Sequence, residues 1–251
     1  PGENCFLGAR AGASCAVTTK GSRMGLSRTI AFVAALIGAV ALSSSAWASV
    51  CIASKGGEAP IPYASPAENA NFIFKITHNP DSKTPDVTHH RYRVKSIDGD
   101  TVRWFREPVQ GKGPIQDVTL YRAFARIAGG GGWKFDFKVS EYDKLWPLKQ
   151  GNEANYVVEG KKDGKSVFKL QSSLCVRGTK VLKLPAGEFT AHLIDISQKV
   201  IDGPKSMKWD LVEINAWYVP EFGTALLMED RISFKGKLIL IRRREAIEVP
   251  K

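Results

Sequence analysis

Short stretches in which apolar and polar residues alternate, joined by tight turns, constrain this fold more than any other sequence feature. From Trp133 to Val139 the alternation is strict, which predicts a strand with one buried and one solvated face. The pairs Asp98-Gly99 and Asp163-Gly164 each separate two such stretches. Because Asp-Gly favours the positive φ angles of a two-residue turn, both pairs predict β-hairpins.

The same pattern runs through most of the chain. We expect strands at Phe72–Thr77, His90–Ile97, Asp100–Arg106, Trp133–Val139, Asn155–Glu159, Ser166–Gln171, Leu174–Leu184, Glu188–Ser197, Lys208–Val219, Thr224–Arg231 and Ile232–Ile241. Asp117–Phe124 is a further strand or a short helix, and Ser140–Leu148 is the other segment that could be helical. About ten to twelve strands do not stay as one flat sheet. The predicted fold is therefore mainly β: a curved antiparallel sheet, half-barrel or barrel-like, with one or two short helices.

Residues 24–48 have the features of a secretory signal peptide. Arg28 follows Met24, an apolar run extends from Ile30 to Leu42, and small residues flank Trp47 in Ala46-Trp47-Ala48. The run is shorter than the roughly 20 residues of a membrane-spanning helix, although a retained helix is the alternative. We expect cleavage near Ala48 and a periplasmic or secreted protein. Residues 1–23 are interpreted as upstream or misannotated sequence, 49–71 as an irregular N-terminal segment and 72–251 as a single β-rich domain.

Cysteine usage agrees with export. After cleavage only Cys51 and Cys175 remain, and two cysteines in an oxidising compartment can pair. We name them as a candidate disulfide, with two separate buried thiols as the alternative, since sequence does not show the distance between them. Cys51 also suggests a lipoprotein, but Val50 before it fits a lipidation signal poorly.

The chain is basic. Residues 49–251 carry +8 of the formal net charge of +11. In an exported protein this charge can meet anionic lipid headgroups, lipopolysaccharide phosphates or acidic wall polymers, or it can serve solubility alone. Export argues against nucleic acid as a partner. The run Arg242-Arg243-Arg244 is interpreted as a solvated sheet edge, with attraction to a membrane surface as the alternative.

No arrangement of residues predicts catalysis. His89 and His90 are neighbours on a strand and would point to opposite faces, which is poor ligand geometry. Cysteine pairs at zinc spacing are absent from the sequence, and Gly129–Gly132 lacks the Lys-Ser/Thr ending of a phosphate loop. We therefore predict a protein that is not an enzyme and has no metal site and no cofactor.

Two segments carry a resemblance to a known group. Leu184–Phe189 reads LPAGEF and Ala216–Thr224 reads AWYVPEFGT, and Leu145–Asn152 adds a Pro-Leu-x-x-Gly element. Together they resemble exported bacterial proteins of unknown function labelled TapB-like. The resemblance covers roughly Trp146 to the C-terminus and implies a curved antiparallel sheet around a helix or groove, comparable to the half-barrels of LolA and LolB. It implies no catalytic residues.

The favoured function is a non-catalytic periplasmic protein that binds a lipid or another apolar ligand in its curved sheet. Aromatic and apolar side chains on the predicted strands are the candidate lining: Trp133, Phe135, Phe137, Phe168, Leu170, Phe189, Trp217 and Tyr218. The same residues also suit an ordinary β core. The alternative function is an accessory interaction module of a cell-envelope or secretion system, which would dock through sheet edges or a basic surface.

Overall fold

The computed structural model describes Cys51, residues 59–111 and residues 113–251, which lie in one compact unit, Ala48–Lys251. The predicted signal peptide, its cleavage site and residues 1–23 lie outside the described residues. Within the described ranges, no helix has the length and apolar character needed to cross a membrane.

Twelve strands form one antiparallel sheet. Their bounds are β1 Asn71–His78, β2 Asp86–Asp98, β3 Thr101–Pro108, β4 Gln116–Tyr121, β5 Ala125–Gly129, β6 Trp133–Phe137, β7 Glu153–Lys162, β8 Lys165–Leu184, β9 Gly187–Asp202, β10 Leu211–Val219, β11 Thr224–Phe234 and β12 Lys237–Glu248. Each strand pairs with the next, and β1 also pairs with β12, so the sheet closes into a barrel. The predicted fold class is confirmed, in its barrel form rather than as an open half-barrel.

The helical content is small, and only one of the two segments expected to be helical contains a helix. The helix α1 spans Val139–Tyr142, and a 3-10 turn follows at Asp143–Leu145. The stretch around Tyr121 is strand β4, after which residues 122–124 turn into β5. A second 3-10 turn, Pro220–Phe222, connects β10 to β11.

Several predicted boundaries were wrong. The first hairpin pairs Asp98 with Thr101, so its turn is Gly99-Asp100, one residue later than predicted. Ser166–Gln171 and Leu174–Leu184 are parts of one strand of 20 residues, because β9 pairs with β8 along almost its whole length. Arg231 and Ile232 lie inside β11, and the turn falls at Lys235-Gly236.

The connections alternate between the two ends of the barrel because every neighbouring pair is antiparallel. We call the hairpin end the one that holds the turns β1–β2, β3–β4, β5–β6, β7–β8, β9–β10 and β11–β12. The core end is the opposite one, with α1 and the turns β2–β3, β4–β5, β8–β9 and β10–β11.

The core end is closed by the N-terminal segment and α1. Ile61 exchanges two backbone hydrogen bonds with Leu148, and Tyr63 packs edge-on against Trp146 at 5.2 Å between ring centroids. The Tyr218 hydroxyl lies 3.2 Å from the Ala64 carbonyl oxygen, to which it donates. Fully buried side chains continue this packing below: Tyr142, Leu145, Leu148 and Tyr218 are 0–1% exposed.

The predicted disulfide is present. Cys51 and Cys175 are bonded, with their Cα atoms 5.7 Å apart. Cys175 lies in β8, so the bond ties the N-terminal segment to the longest strand of the barrel.

Candidate functional site

Burial of the inward-facing positions decreases from the core end to the hairpin end. On β3, Val102 and Trp104 are 1% and 5% exposed, whereas Arg106, the next inward residue, is only half-buried. On β11, Leu226 is fully buried and Met228 is half-buried. Eight strands enclose an interior that side chains just fill, and the interior widens with strand number. The hairpin half of this twelve-stranded barrel is therefore the place where water and a ligand can reach the inner wall.

Four arginines, one histidine and one tyrosine line one side of this half. We call them the arginine wall: His90 and Tyr92 of β2, Arg106 of β3, Arg126 of β5, and Arg242 and Arg244 of β12. Strand register brings them together, because Tyr92 pairs with Arg106 and His90 pairs with Phe74. The Arg244 guanidinium lies over the rings of Phe74 and Tyr92, 5.3 and 5.4 Å from their centroids.

The wall has little negative charge to balance it. Arg242 pairs with Asp230, a carboxylate only 4% exposed. Arg106 instead donates to the imidazole of His90 and the amide oxygen of Gln116, at 3.3 and 3.4 Å. Arg244 contacts Met228, and its buried Nε has no hydrogen-bond partner. Within the described residues, neither Arg106 nor Arg244 forms an ion pair with a carboxylate.

Arg126 extends the wall towards the other side of the barrel. Its guanidinium lies over the backbone of Gly129, where a Cβ atom would be only 2.4 Å from Nη2. The same group stacks on Phe135, 5.2 Å from the ring centroid. Its one hydrogen bond goes to the Ala128 carbonyl at 3.4 Å, and the side chain is exposed although it points inward. Arg126 therefore joins the arginine wall to aromatic residues.

Burial and neighbouring positive charges lower the pKa values of His90 and Arg106. Burial, followed by repulsion from Arg106, lowers the pKa of His90 to about 4. Burial is also the largest cause of the lowered pKa of Arg106, to which the Arg244 and Arg242 charges add. Arginine stays protonated in proteins, so at neutral pH the wall combines charged guanidinium groups with a neutral His90 that accepts from Arg106.

The aromatic side of the hairpin half is built by β6, β8 and the β9–β10 connection. Phe168 lies at the centre, with ring centroids 5.6 Å from Trp133, 6.3 Å from Phe135 and 6.2 Å from Trp209. The ring of Phe168 sits over Gly160 of β7, which pairs with it. Trp133, Phe135 and Trp209 are only partly buried. We call these four residues the aromatic patch.

The structure divides the predicted lining residues between the two ends. Trp133, Phe135 and Phe168 meet in the aromatic patch, and Leu170 continues the buried wall below it. Phe137 lies deeper, 5.4 Å from the ring of Tyr156. The remaining three are at the core end and do not reach the patch: Phe189, Trp217 and Tyr218.

The motifs that carry the family resemblance meet at the core end and have packing roles there. Phe189 of the first motif packs against Phe222 of the second, with centroids 5.6 Å apart. Gly223 has φ +61°, and the N-terminal segment passes so closely that a Cβ atom would lie 2.4 Å from the Ala64 carbonyl oxygen. A side chain at this position would push that segment off the barrel. The motifs thus explain how the core end is closed.

Sequence reasoning missed the arginine wall. Arg242 and Arg244 were assigned to a solvated edge, but β12 pairs with both β1 and β11 and has no free edge. Of the three arginines only Arg243 faces outward, where it pairs with Glu229 and Glu245. The alternation of each strand could have indicated their inward orientation. Arg244 is two residues from the buried Ala246, and Arg106 is two residues from the buried Trp104, so each arginine shares a face with a buried residue.

Other site chemistry is sparse in the described ranges. No group of three His, Cys, Asp or Glu side chains there is placed to hold a metal ion. His89 and His90 face opposite sides of β2, as predicted, and a cavity of about 220 Å³ opens beside them at the hairpin end. Thr88, Pro108 and Gln110 complete its lining together with Val87.

The fold and the site define a closed antiparallel barrel with a partly accessible interior, and three solved structures are similar to it. They are a candidate lipoprotein from Parabacteroides distasonis (12% identity, TM-score 0.46, covering 75% of this chain and 99% of that chain), the hypothetical lipoprotein YmcC from Escherichia coli (9%, 0.43, 78% and 92%), and a candidate exported protein with a YmcC-like fold from Bacteroides fragilis (12%, 0.43, 76% and 100%). No protein-family model and no curated protein sequence matches the chain. The TapB-like resemblance stays a prediction.

Proposed function

We propose that this chain is a non-catalytic, exported binding protein that holds an amphiphilic ligand in the hairpin half of its barrel. One observation carries the proposal: inward-facing aromatic side chains that stay partly exposed lie beside guanidinium groups without carboxylate partners. The aromatic patch would receive the apolar part of the ligand, and the arginine wall would receive its polar part.

The apolar part of this proposal follows from the energetics of burial. Trp133, Phe135 and Trp209 are only partly buried and keep apolar surface accessible to water. Covering such surface stabilises a complex by about 25 cal/mol for each Å² removed from water. Ligand sites in β-barrels are mostly apolar with a few oriented polar groups, which is the composition found here.

Export is supported by the leader and by the disulfide. Disulfide bonds persist in oxidising compartments and are rare in the cytosol. The Cys51–Cys175 bond therefore fits a protein that works in the periplasm or outside the cell. The position of cleavage near Ala48 and the compartment itself are parts of the proposal.

Closure of the sheet limits how the chain could act as an accessory interaction module of a cell-envelope or secretion system. Docking by strand addition needs a free strand edge. Each of the twelve described strands is paired on both sides, so an envelope interaction module would have to use the outer surface of the barrel instead. The partly exposed aromatic residues of the hairpin half, and its inward-facing arginines without carboxylate partners in the described ranges, support the first proposal.

The first experiment is native mass spectrometry of protein recovered from the periplasm, with lipid analysis of the extract. A copurifying amphiphile at defined stoichiometry and a mass that begins after Ala48 would support the proposal. In addition, 1-dodecanol is titrated while tryptophan fluorescence is recorded. We expect saturable binding that Trp133→Leu weakens by about tenfold, because most of an aromatic contact area is lost.

Phe105→Leu is the matched control. Phe105 lies on the outer face of β3, where the Lys95 ammonium sits 4.3 Å from its ring centroid. This variant should bind dodecanol like the unaltered protein. If dodecanol does not bind, or if both variants weaken its binding equally, the aromatic patch does not hold an apolar chain and the proposed function fails.

A further inference from the structure

We propose that the arginine wall is a binding site for a phosphate group, and that the amphiphile held in the barrel carries that phosphate as its headgroup. The inference rests on the proposed function and adds the chemical class of the polar group. It follows from charge balance, from free donors and from the position of Arg126.

The charge balance inside the hairpin half is strongly positive. Arg106, Arg126, Arg242 and Arg244 face inward, and Asp230 is the one carboxylate that pairs with any of them in the described residues. Uncompensated charges in a partly desolvated site are unfavourable, and an anionic ligand relieves that cost. A phosphate monoester, with one to two negative charges near neutral pH, matches the excess better than a single carboxylate.

Donor groups remain available on these arginines. A guanidinium has five N–H donors. Arg106 uses two of its three nitrogens, one for His90 and one for Gln116, and Arg244 Nε is buried without a partner. Arginine binds phosphate oxygens through paired, charge-assisted hydrogen bonds, which are about twice as strong as neutral ones. Two or more guanidinium groups, each donating a pair of hydrogen bonds to the same phosphate, would use the donors that the fold leaves free.

The stacking contacts orient the guanidinium groups for this task. The Arg244 guanidinium carbon lies 5.3 and 5.4 Å from the ring centroids of Phe74 and Tyr92, and that of Arg106 lies 5.7 Å from the ring centroid of Tyr92. A guanidinium stacked on an aromatic face keeps its N–H groups at the rim of its own plane, where an oxyanion can reach them. The wall is thus arranged before any ligand arrives.

Arg126 shows why the phosphate and the apolar chain belong to one ligand. It touches the aromatic patch through Phe135, and desolvation of its guanidinium by the surrounding barrel wall, followed by the charge of Arg106, lowers its pKa. A chain that covers Trp133 and Phe135 would place its headgroup beside Arg126. This geometry fits a long-chain alkyl phosphate, that is, a lipid whose headgroup is a phosphate monoester.

The test compares three ligands by isothermal titration calorimetry at low ionic strength, using the full chain after export. The ligands are dodecyl phosphate below its critical micelle concentration, 1-dodecanol and inorganic phosphate. We expect dodecyl phosphate to bind at least tenfold more tightly than dodecanol, and this advantage to shrink as salt is added. Inorganic phosphate should bind most weakly, since it lacks the chain.

We expect single arginine-to-glutamine variants of the wall to reduce dodecyl phosphate affinity by about tenfold while dodecanol affinity changes little. The variants are Arg126→Gln, Arg106→Gln and Arg244→Gln. Arg126 is exposed and makes no ion pair in the described structure, so its variant should fold even if a buried arginine variant does not. Arg243→Gln is the control, because Arg243 is on the same strand as Arg244 but on the outer face. It should leave all affinities unchanged.

Each outcome decides the inference. If dodecyl phosphate and dodecanol bind equally, the phosphate site is overturned and the proposed function survives. If inorganic phosphate binds as tightly as dodecyl phosphate and dodecanol does not bind, the site exists for a free oxyanion and the proposed function fails. If none of the three binds, both are overturned. If Arg243→Gln weakens dodecyl phosphate binding as much as the wall variants, the phosphate site is overturned and the proposed function survives as long as dodecanol binds.

Discussion

The contact between Gly160 and Phe168 gives the sharpest test of the packing described above. Phe168 of β8 lies flat over Gly160 of β7, its register partner. A Cβ atom added at Gly160 would lie 2.4, 2.6 and 2.7 Å from three carbon atoms of the ring. Separations this short do not occur between real atoms, so Gly160→Ala must displace the ring. The ring is held by Trp133, Phe135 and Trp209, so the displacement disturbs the whole aromatic patch.

The magnitude follows from two opposing effects. Forcing one extra methyl group into a packed core costs about 1–3 kcal/mol. Replacing glycine by alanine also restricts the unfolded chain, which stabilises the fold by about 0.4–1 kcal/mol. We therefore expect Gly160→Ala to lower the free energy of unfolding by about 1–2 kcal/mol. In a Phe168→Ala background the clash is gone, and the same glycine change should be neutral or slightly stabilising.

Urea unfolding followed by tryptophan fluorescence measures the free energy of unfolding of the unaltered protein, of Gly160→Ala, of Phe168→Ala and of the double variant. Near-UV circular dichroism reports the order of the aromatic patch. Gly130→Ala is the matched control, since nothing lies within 4 Å of its Cβ position and its φ is not in the left-handed region. That control should change stability by less than about 0.5 kcal/mol. The reasoning is refuted if Gly160→Ala costs no more than Gly130→Ala, or if Phe168→Ala leaves its cost unchanged.

Three further predictions concern the disulfide bond, the buried carboxylate of Asp230 and the protonation of His90. Cys51→Ser should lower the free energy of unfolding by about 2–5 kcal/mol, because the Cys51–Cys175 bond closes a separation of 124 residues; a urea midpoint that reductant does not shift in the unaltered protein would contradict this. Asp230→Asn should cost about 3 kcal/mol in thermal unfolding, since it leaves a guanidinium beside a 4% exposed position without its counter-charge; a loss below 1 kcal/mol would argue against the pairing. His90 has a folded pKa of about 4, so the unfolded chain takes up its proton first and stability should fall as pH drops from about 6.5 to about 4. Because His90 is half exposed, we expect about 1 kcal/mol, removed by His90→Gln and retained in His89→Gln, as measured by urea midpoints across that pH range.

The strands could be predicted because their signal is local. Alternation and Asp-Gly turns gave β6, the β2–β3 hairpin and the β7–β8 hairpin, and each depends on residues close in sequence. The continuous β8 strand could not be predicted in the same way. Ser172 and Ser173 interrupt its apolar pattern, yet Ser172 is fully buried and β9 pairs across both residues. Long-range pairing decided that region, and local preference did not.

Closure of the sheet was also beyond the sequence. The pairing of Phe74 with Ala246 joins strands at opposite ends of the domain, and a bulge between Ile73 and Phe74 sets its register. Residues so distant along the chain leave no mark in any local window. The same alternation in the sequence is therefore compatible with an open half-barrel and with a closed barrel. Only the pairing of β1 with β12 distinguishes the two folds.

The candidate site depended on that closure, which is why half of it was missed. Trp133, Phe135 and Phe168 could be recognised, because an aromatic residue on an alternating strand is expected to face inward. Alternation along their strands also places Arg106 and Arg244 on the inward face. Arginines are mostly exposed in proteins, however, so a sequence pattern assigns them to the solvent-facing side. Only a barrel wide enough to leave its inner wall accessible lets a charged side chain point inward without full desolvation.

The two halves of the barrel thus follow from one property of a twelve-stranded sheet. Its interior is too wide for strand side chains alone, so the core end is filled by α1, Trp146 and the N-terminal segment that contacts Tyr218. At the hairpin end, Trp209 of the β9–β10 connection packs against Phe168, and arginines and other aromatic rings form the rest of the wall. If the hairpin end served stability alone, apolar residues would be the better choice there, since buried ion clusters seldom stabilise more than a packed apolar core. The proposed binding of an anionic ligand would account for the retained charges.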